Sequence, residues 1–187
     1  MGSKLKQTIF DKPISKGKQE VSSSIFALLF SEMIDYSHNR SNSIQDLETR
    51  LSKLGYHVGQ KMLDVVWYRE KGSKRETKLL QVLLFIKSIF WKNLFGKEAD
   101  KLEHSGSNER EYYLIEKEPL VNRYISVPKD KGNFNPATFA AGVVEAVLDG
   151  SGFPAKTSAV WHEGSTYICI VFDELVIERE KRIDNKS

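Results

Sequence analysis

The chain has 187 residues, of which 40% are hydrophobic and 28% are charged, and its 28 basic and 25 acidic residues give a net charge of +3. This length and composition predict a single domain with a hydrophobic core and exclude an intrinsically disordered chain. The near balance of charge argues against a dedicated nucleic-acid-binding protein, because such proteins carry a larger or more clustered basic excess.

The N-terminal segment, residues 1–20, is polar and rich in lysine, and we interpret it as an extended basic arm. It lacks the apolar stretch of a signal peptide. The longest apolar runs, residues 25–30 and 82–86, are far shorter than the ~20 residues that span a bilayer. With a single cysteine, Cys169, which we expect to be a buried and inert thiol, the sequence favours a cytosolic protein.

The first helix is predicted to begin at residues 22–24, three serines whose side chains can cap it. Two apolar sets at helical spacing lie side by side along it, so the apolar arc covers more than half of the helix. Such an arc needs two apolar neighbours. The sets are Ile25, Leu28, Leu29 and Tyr36, and Phe26, Phe30, Met33 and Ile34.

A second helix is predicted from the capping pair Ser43 and Asp46 to Gly55, which resembles a helix-terminating glycine. Residues 57–69 show a weaker helical pattern and predict a third helix, and residues 69–78 form an exposed basic loop. One face of the second helix is apolar through Ile44, Leu47, Leu51 and Leu54.

Residues 79–95 are apolar on nearly every side, a pattern typical of a helix buried in the middle of a domain. Gln81, Ser88 and Lys92 leave only a narrow polar strip. Lys87 falls within the apolar face, where we expect it to snorkel or to form a structural salt bridge.

Beyond residue 96 the apolar residues recur at every second position, as in a β-strand, and no longer at helical spacing. Strands are predicted at 112–117 and 121–127, followed by a helix that begins at Asn135 and Pro136 and ends at Gly150. Residues 155–162 and 166–172 alternate around a turn and predict a hairpin, and a short charged helix follows at 174–182. Helices first and an antiparallel sheet later predict an α+β fold with the helices on one face.

No pattern of catalytic or ligand-binding residues is present. The sequence contains no nucleotide-binding glycine motif and no serine-hydrolase motif, and one cysteine cannot form a paired metal site. We therefore expect no catalytic residue, no cofactor and no metal. The histidines are scattered through the chain, at His38, His57, His104 and His162.

Two interpretations of the wide apolar arc on the first helix remain open at equal weight. The arc is either enclosed by layers of its own domain or covered by a partner. The basic segments are either solvated charge or a surface for an acidic partner or an anionic membrane. The residues alone predict an α+β interaction protein.

Long segments of the chain resemble the small subunits of the transport protein particle, TRAPP, and the resemblance covers about residues 10–182. The segments are KPISKGKQEVSSSIFALLFSEM (12–33), LGYHVGQKMLD (54–64), REKGSKRETKLL (69–80), FIKSIFWKNLFGKEADKLE (85–103), EKEPLVNRYISVPKD (116–130) and AAGVVEAVLDGSGFPAKTSAVWHEG (140–164).

The resemblance implies helices packed on one side of a four-stranded antiparallel sheet, with a basic arm at 1–20, one domain at 21–183 and a tail at 184–187. It implies a non-catalytic structural subunit of a tethering complex that is a guanine-nucleotide exchange factor for a Rab GTPase in endoplasmic reticulum-to-Golgi transport. The protein is then expected in the cytoplasm and peripherally on endoplasmic reticulum and Golgi membranes, with no nucleic acid as a partner. The basic arm is expected to act against a GTPase tail or a membrane.

Members of this family pair through their helical faces, so the resemblance implies a paralogous plait subunit as a heterodimer partner and a further contact with a longin-like subunit. We place the heterodimer surface on the first two helices because of the wide apolar arc. The hypothesis names Phe26, Phe30, Met33 and Ile34 as anchors and Leu47 and Leu51 as secondary contacts.

One departure from the family concerns acylation. A paralogous subunit carries an acylated cysteine a few residues before its own Arg-Glu-Thr, with the acyl chain in an apolar tunnel. Here residues 70–74 precede Arg75, Glu76 and Thr77 and contain no cysteine, so acylation is not expected. The alternative function is a small-molecule or lipid-binding plait domain, and nucleic-acid binding through 69–78 is a weaker one.

Overall fold

The computed structural model describes residues 21–71, 75–127, 132 and 134–184, and the predicted N-terminal arm lies outside them. The helices are α1 (Ser23–His38), α2 (Ile44–Lys71), α3 (Leu79–Phe85), α4 (Trp91–Phe95), α5 (Leu120–Arg123), α6 (Thr138–Gly150) and α7 (Glu174–Asp184), with a π-helical turn at Ile86–Phe90 between α3 and α4. The strands are β1 (Lys101–His104), β2 (Glu111–Glu116), β3 (Ala155–His162) and β4 (Ser165–Phe172).

The four strands form one antiparallel sheet in the order β1-β2-β4-β3. Helix α6 packs on β3 and β4 and also makes an extensive contact with α2. The predicted α+β class is therefore confirmed. The core lies between these layers, and α6 is almost wholly buried from Thr138 to Leu148.

Side-chain caps start the first two helices where the sequence predicts them. Ser22 Oγ accepts a hydrogen bond from the backbone N–H of Ser24 at 3.3 Å. Ser43 Oγ accepts from the N–H of Asp46 at 3.1 Å, and the Asp46 carboxylate accepts from the N–H of Asn42 at 3.2 Å. These bonds satisfy donors that have no partner within the helix.

Helix α2 does not end at Gly55, so the prediction of separate second and third helices is wrong. The helix continues to Lys71 because Gly55 faces another helix and not a turn. A Cβ atom at Gly55 would overlap the carbonyl oxygen of Phe139, and one at Gly142 would overlap the carbonyl oxygen of Ser52. Each glycine therefore lets the α2 and α6 backbones approach closely.

The predicted central helix is continuous from Leu79 to Phe95 apart from the π-helical turn, and Gly96 ends it at φ 80°. Its solvent face is wider than the sequence predicts, because Leu80 and Leu84 are 56% and 48% exposed. Lys87 is half-buried, and no carboxylate among the described residues lies within ion-pair distance of it, so the expected salt bridge is not found there.

The predicted strand at 121–127 is wrong. Val121 is 1% exposed, but it belongs to α5, a short helical segment that follows Pro119. The strand beside β2 is instead β1, at an edge of the sheet, where three of the four residues are exposed. An edge strand with polar side chains has little apolar alternation to mark it in the sequence.

The hairpin of β3 and β4 is confirmed. Its turn residues Glu163 and Gly164 have φ values of 48° and 72°, which match the two left-handed positions of a type I′ turn. The side chains of β4 alternate in burial as predicted. Those on the helix-facing side, Thr166, Ile168, Ile170 and Phe172, are all buried.

The predicted helix is found as α6, but it begins at Thr138 with Ala137 as its N-cap residue and not at Asn135 and Pro136. Asn135 Oδ1 accepts a hydrogen bond from the N–H of Ala137 at 3.0 Å, and the regular helix begins at Thr138 after a turn at Pro136 and Ala137. Across the described part of the chain, no helix has both the length and the apolar character needed to cross a bilayer.

Candidate partner interface

Helix α1 divides its apolar side chains between two faces. The inner face carries Phe26 and Phe30, whose rings stack with centroids 5.7 Å apart. The ring of Phe30 meets the ring of Phe139 in α6 edge-on at 5.4 Å. This aromatic contact fixes the rotation of α1 about its own axis, and therefore decides which side chains remain exposed.

The outer face of α1 carries an exposed apolar stripe: Ile25, Leu28 and Leu29 lie three or four positions apart, and Tyr36 follows seven positions after Leu29, beyond the exposed Glu32. Ile25 is 59% exposed, Leu28 70%, Leu29 59% and Tyr36 57%. The guanidinium of Arg40 lies 3.8 Å from the centroid of the Tyr36 ring and covers one end of the stripe. Exposed apolar side chains grouped on one face mark interaction sites more often than isolated ones do.

The structure places half of the predicted interface residues in the chain's own core. Phe30, Leu47 and Leu51 are 1%, 3% and 0% exposed, and the two leucines pack with Phe134. The anchor Phe30 and the secondary contacts Leu47 and Leu51 are therefore core residues of the folded chain, and their side chains are not exposed to a partner. Phe26, Met33 and Ile34 are half-buried and pack against the core.

The sequence predicts both apolar sets as helical, and the structure exposes the set that the interface hypothesis leaves out. Both sets have the same spacing, so period alone could not tell which one faces the core. The aromatic pair Phe26 and Phe30 was the available signal, since large rings that stack on each other favour the better-packed side. One neighbour of the wide arc is supplied by this domain, and within the described ranges the side chains on the other side of the arc stay exposed.

A second apolar surface lies on the far side of the sheet. Tyr113 and Tyr167 meet edge-on with centroids 6.0 Å apart, and Cys169 lies half-buried on the same face. Burial raises the pKa of the Cys169 thiol, and the charge of Glu111 adds to this effect against a hydrogen bond from Ser158. The thiol is accordingly poorly suited to act as a nucleophile.

Comparison with known proteins places this architecture in a family. The family model described as "Transport protein particle (TRAPP) component" matches residues 26–173. The chain belongs to the TRAPP component family. The match spans most of the chain and includes the helices and strands described above, except for the first residues of α1 and for α7.

Relatives with close sequence similarity to this TRAPP component are similar over nearly their whole length. The chain is 49% identical over 181 residues to trafficking protein particle complex subunit 5 of Homo sapiens, covering 97% of this chain and 96% of that protein. It is 46% identical over 183 residues to subunit 5 of Dictyostelium discoideum, covering 95% and 98%. A more distant relative is subunit 31 of Saccharomyces cerevisiae, at 24% identity with 92% and 83% covered.

A solved structure supports the fold. The crystal structure of trafficking protein particle complex subunit 3 from Naegleria fowleri, covalently bound to palmitic acid, matches with a TM-score of 0.69 at 18% identity, covering 81% of this chain and 95% of that one. At that identity the likeness concerns the fold alone. In this TRAPP component residues 69–78 contain no cysteine, so there is no thiol for an acyl chain in that segment.

The remaining surface was compared with the requirements of a metal or ligand site. No group of His, Cys, Asp or Glu side chains in the described ranges could hold a metal ion. All four histidines are exposed. An open cleft of about 480 Å³ lies between α2 and the end of α6, lined in part by Trp67, Tyr68 and Arg75. Leu83, Ile86 and Phe90 of the central helix are 1%, 1% and 0% exposed and belong to the hydrophobic core.

Proposed function

We propose that this TRAPP component is a non-catalytic structural subunit that pairs with a paralogous plait subunit through the exposed stripe of α1. The single observation that supports this is the stripe itself, in a family whose members are complex subunits by name. Four large apolar side chains on one helical face, each more than half exposed, lose contact with water when a partner helix covers them.

In the proposed assembly the subunit also contacts a longin-like subunit, and the complete complex acts as a guanine-nucleotide exchange factor for a Rab GTPase in endoplasmic reticulum-to-Golgi transport. Exchange needs no covalent chemistry. A factor that binds the nucleotide-free GTPase more tightly than the nucleotide-bound form weakens nucleotide affinity by linkage. We place the subunit in the cytoplasm, peripherally on both membranes through the complex.

The pairing is tested with a charge placed in the stripe. Leu28→Asp should abolish a one-to-one complex with the paralogous subunit in size-exclusion chromatography with mass analysis, because the carboxylate would be buried without a partner. Leu175→Asp on α7 is the matched control, since Leu175 is 75% exposed and Leu28 70%. The control should pair normally. Unchanged pairing of Leu28→Asp would contradict the proposed interface.

A further inference from the structure

Strand β3 forms an edge of the sheet, so one side of its backbone is not used by the ladder with β4. The N–H of Thr157 points to this free side, where it donates to Glu145 Oε2 at 3.0 Å. Backbone groups alternate in direction along a strand, so those of Ala159 and Trp161 point to the same side as those of Thr157.

The end of this edge is open beyond Thr157. Among the described residues, no hydrogen bond is made on the free side by the backbone N–H or C=O groups of Ala159 and Trp161. An edge with unpaired backbone groups is a template for another strand. Glu145 protects the edge at Thr157, and no side chain in the part of the chain that the structure describes bonds the free backbone groups of Ala159 and Trp161 in the same way.

A groove runs beside the open end of β3. A cleft of about 360 Å³ lies between Ile44 and Glu48 of α2 and residues 159–161 of β3. A second cleft of about 470 Å³ lies on the other side of Trp161 and is lined in part by Asn122 and Pro136. The Trp161 side chain is 49% exposed between them. An extended peptide bound along the β3 edge could therefore place its side chains in the two clefts that flank Trp161.

The groove contains a carboxylate, Glu48, that has no cation beside it among the described residues. Glu48 is half-buried, and its one recorded hydrogen bond, from the backbone N–H of Asn135 to Oε1, is long at 3.5 Å. Within the described ranges no lysine or arginine forms an ion pair with it. Burial raises the pKa of Glu48 against the opposing effect of that hydrogen bond. A basic side chain would relieve the cost of keeping this carboxylate ionised.

We propose that the open edge of β3 at Ala159–Trp161 binds an extended basic segment of a partner protein as an added strand, with a lysine or arginine of that segment beside Glu48. Main-chain hydrogen bonds supply affinity in this binding mode, and the flanking clefts supply specificity. A helix is a poorer occupant because its backbone donors are already satisfied. A second copy of this chain is also a less favourable occupant, because its β3 edge would bring a second Glu48 carboxylate to the groove and no cation to pair with the first.

The test uses the full 187-residue chain and two synthetic peptides with blocked ends, TVKVKVT and its acidic counterpart TVEVEVT. Binding is measured by calorimetry and by nuclear magnetic resonance of the Ala159 and Trp161 amides. The basic peptide should bind at least about tenfold more tightly than the acidic one and should protect both amides from hydrogen exchange. Equal affinities, or protection elsewhere in the chain, would overturn the proposal.

Two substitutions separate the backbone contribution from the charge. Ala159→Pro removes the outward N–H at a position where an edge strand tolerates proline, whereas Ala159→Ser keeps it. Ala159→Pro should lower the affinity for the basic peptide about tenfold, and Ala159→Ser should leave that affinity unchanged. Glu48→Gln should remove the preference for the basic peptide without affecting the fold. If Ala159→Pro fails to fold, the Glu48→Gln result alone decides.

Other occupants are distinguished by the same amides. Protection that rises with protein concentration without peptide would identify a second copy, and protection that disappears when residues 1–18 are deleted would identify the chain's own N-terminal segment. Either result would overturn the proposal. Pairing with the paralogous subunit should be unaffected by Ala159→Pro, so a failure here is separable from a failure of the α1 interface.

Discussion

The indole N–H of Trp91 donates to the buried carboxylate of Glu116 at 2.9 Å, joining α4 to the end of β2. The ammonium of Lys97 lies 2.8 Å from the other carboxylate oxygen and is 47% exposed, while Glu116 is 1% exposed. One acidic side chain therefore satisfies a buried donor and balances a cation at the junction of helix and sheet.

Glu116 should make stability depend on pH. Burial raises its pKa, with the Lys97 and Trp91 interactions acting in the opposite direction. The folded protein then holds this proton at pH values where the unfolded chain has lost it, so the free energy of unfolding falls as the pH rises above about 4.5, the ordinary value. Glu116→Gln lacks this titration. Urea unfolding across the pH range should show the wild type losing stability relative to Glu116→Gln as the pH rises, and the reverse trend would contradict the assignment.

Removing the acceptor altogether should be more costly. Glu116→Ala leaves the Trp91 N–H buried without a partner, and we expect a loss of about 2 kcal/mol in the free energy of unfolding. Glu116→Gln keeps an oxygen for the indole and serves as the control. Equal stability of the alanine and glutamine variants would show that the hydrogen bond contributes nothing.

The two faces of α1 should respond differently to truncation. Phe30→Ala opens a cavity in the core and should lower the free energy of unfolding by about 3–5 kcal/mol, as measured by chemical denaturation. Leu28→Ala should change it by less than about 0.5 kcal/mol, because the side chain is 70% exposed, yet should weaken pairing with the paralogous subunit. A stable Phe30→Ala protein would show that the ring is not part of the core.

Gly55→Ala should destabilise the protein although alanine favours helices. The helical preference is worth about 1 kcal/mol, but the added methyl overlaps the Phe139 carbonyl and forces the two helices apart. We expect a net loss of about 2 kcal/mol in thermal or chemical unfolding. Gly106→Ala is the matched control, because no atom lies within 4 Å of its added Cβ, and it should be near neutral.

The basic arm at residues 1–20 lies outside the described residues, and its role stays a prediction from the sequence. Deleting residues 1–18 should reduce exchange activity of the assembled complex on anionic liposomes and leave activity in solution unchanged, because lysines attract anionic lipid headgroups. Full activity of the shortened chain on liposomes would remove the arm from this role and leave the proposed pairing through α1 unaffected.

The sequence predicts well where a feature depends on neighbouring residues alone. The caps at Ser22 and Ser43 and the hairpin turn at Glu163 and Gly164 are of this kind, because each needs only side chains or φ values within a few positions. The order of helices before sheet follows from periodicity. These local signals were enough for the α+β class.

Prediction failed where the deciding partner lies far along the chain. Gly55 resembles a helix end until Phe139 is known to lie against it. β1 is recognisable only beside β2, since its own residues are mostly exposed. The buried and the exposed set of α1 have the same spacing and differ in what packs on them, and Phe139 is the residue that packs on Phe30.

The close contact of α2 with α6 fixes the position and orientation of α2 in the domain. Its 28 residues extend about 42 Å, with the acidic groove at Glu48 near one end and the cleft at Tyr68 near the other. The Gly55 backbone lies directly against the Phe139 carbonyl of α6. Rotation of α2 about its axis, or translation along it, would bring the two main chains into steric overlap. The distance and the relative orientation of the groove at Glu48 and the cleft at Tyr68 are therefore fixed before any partner binds.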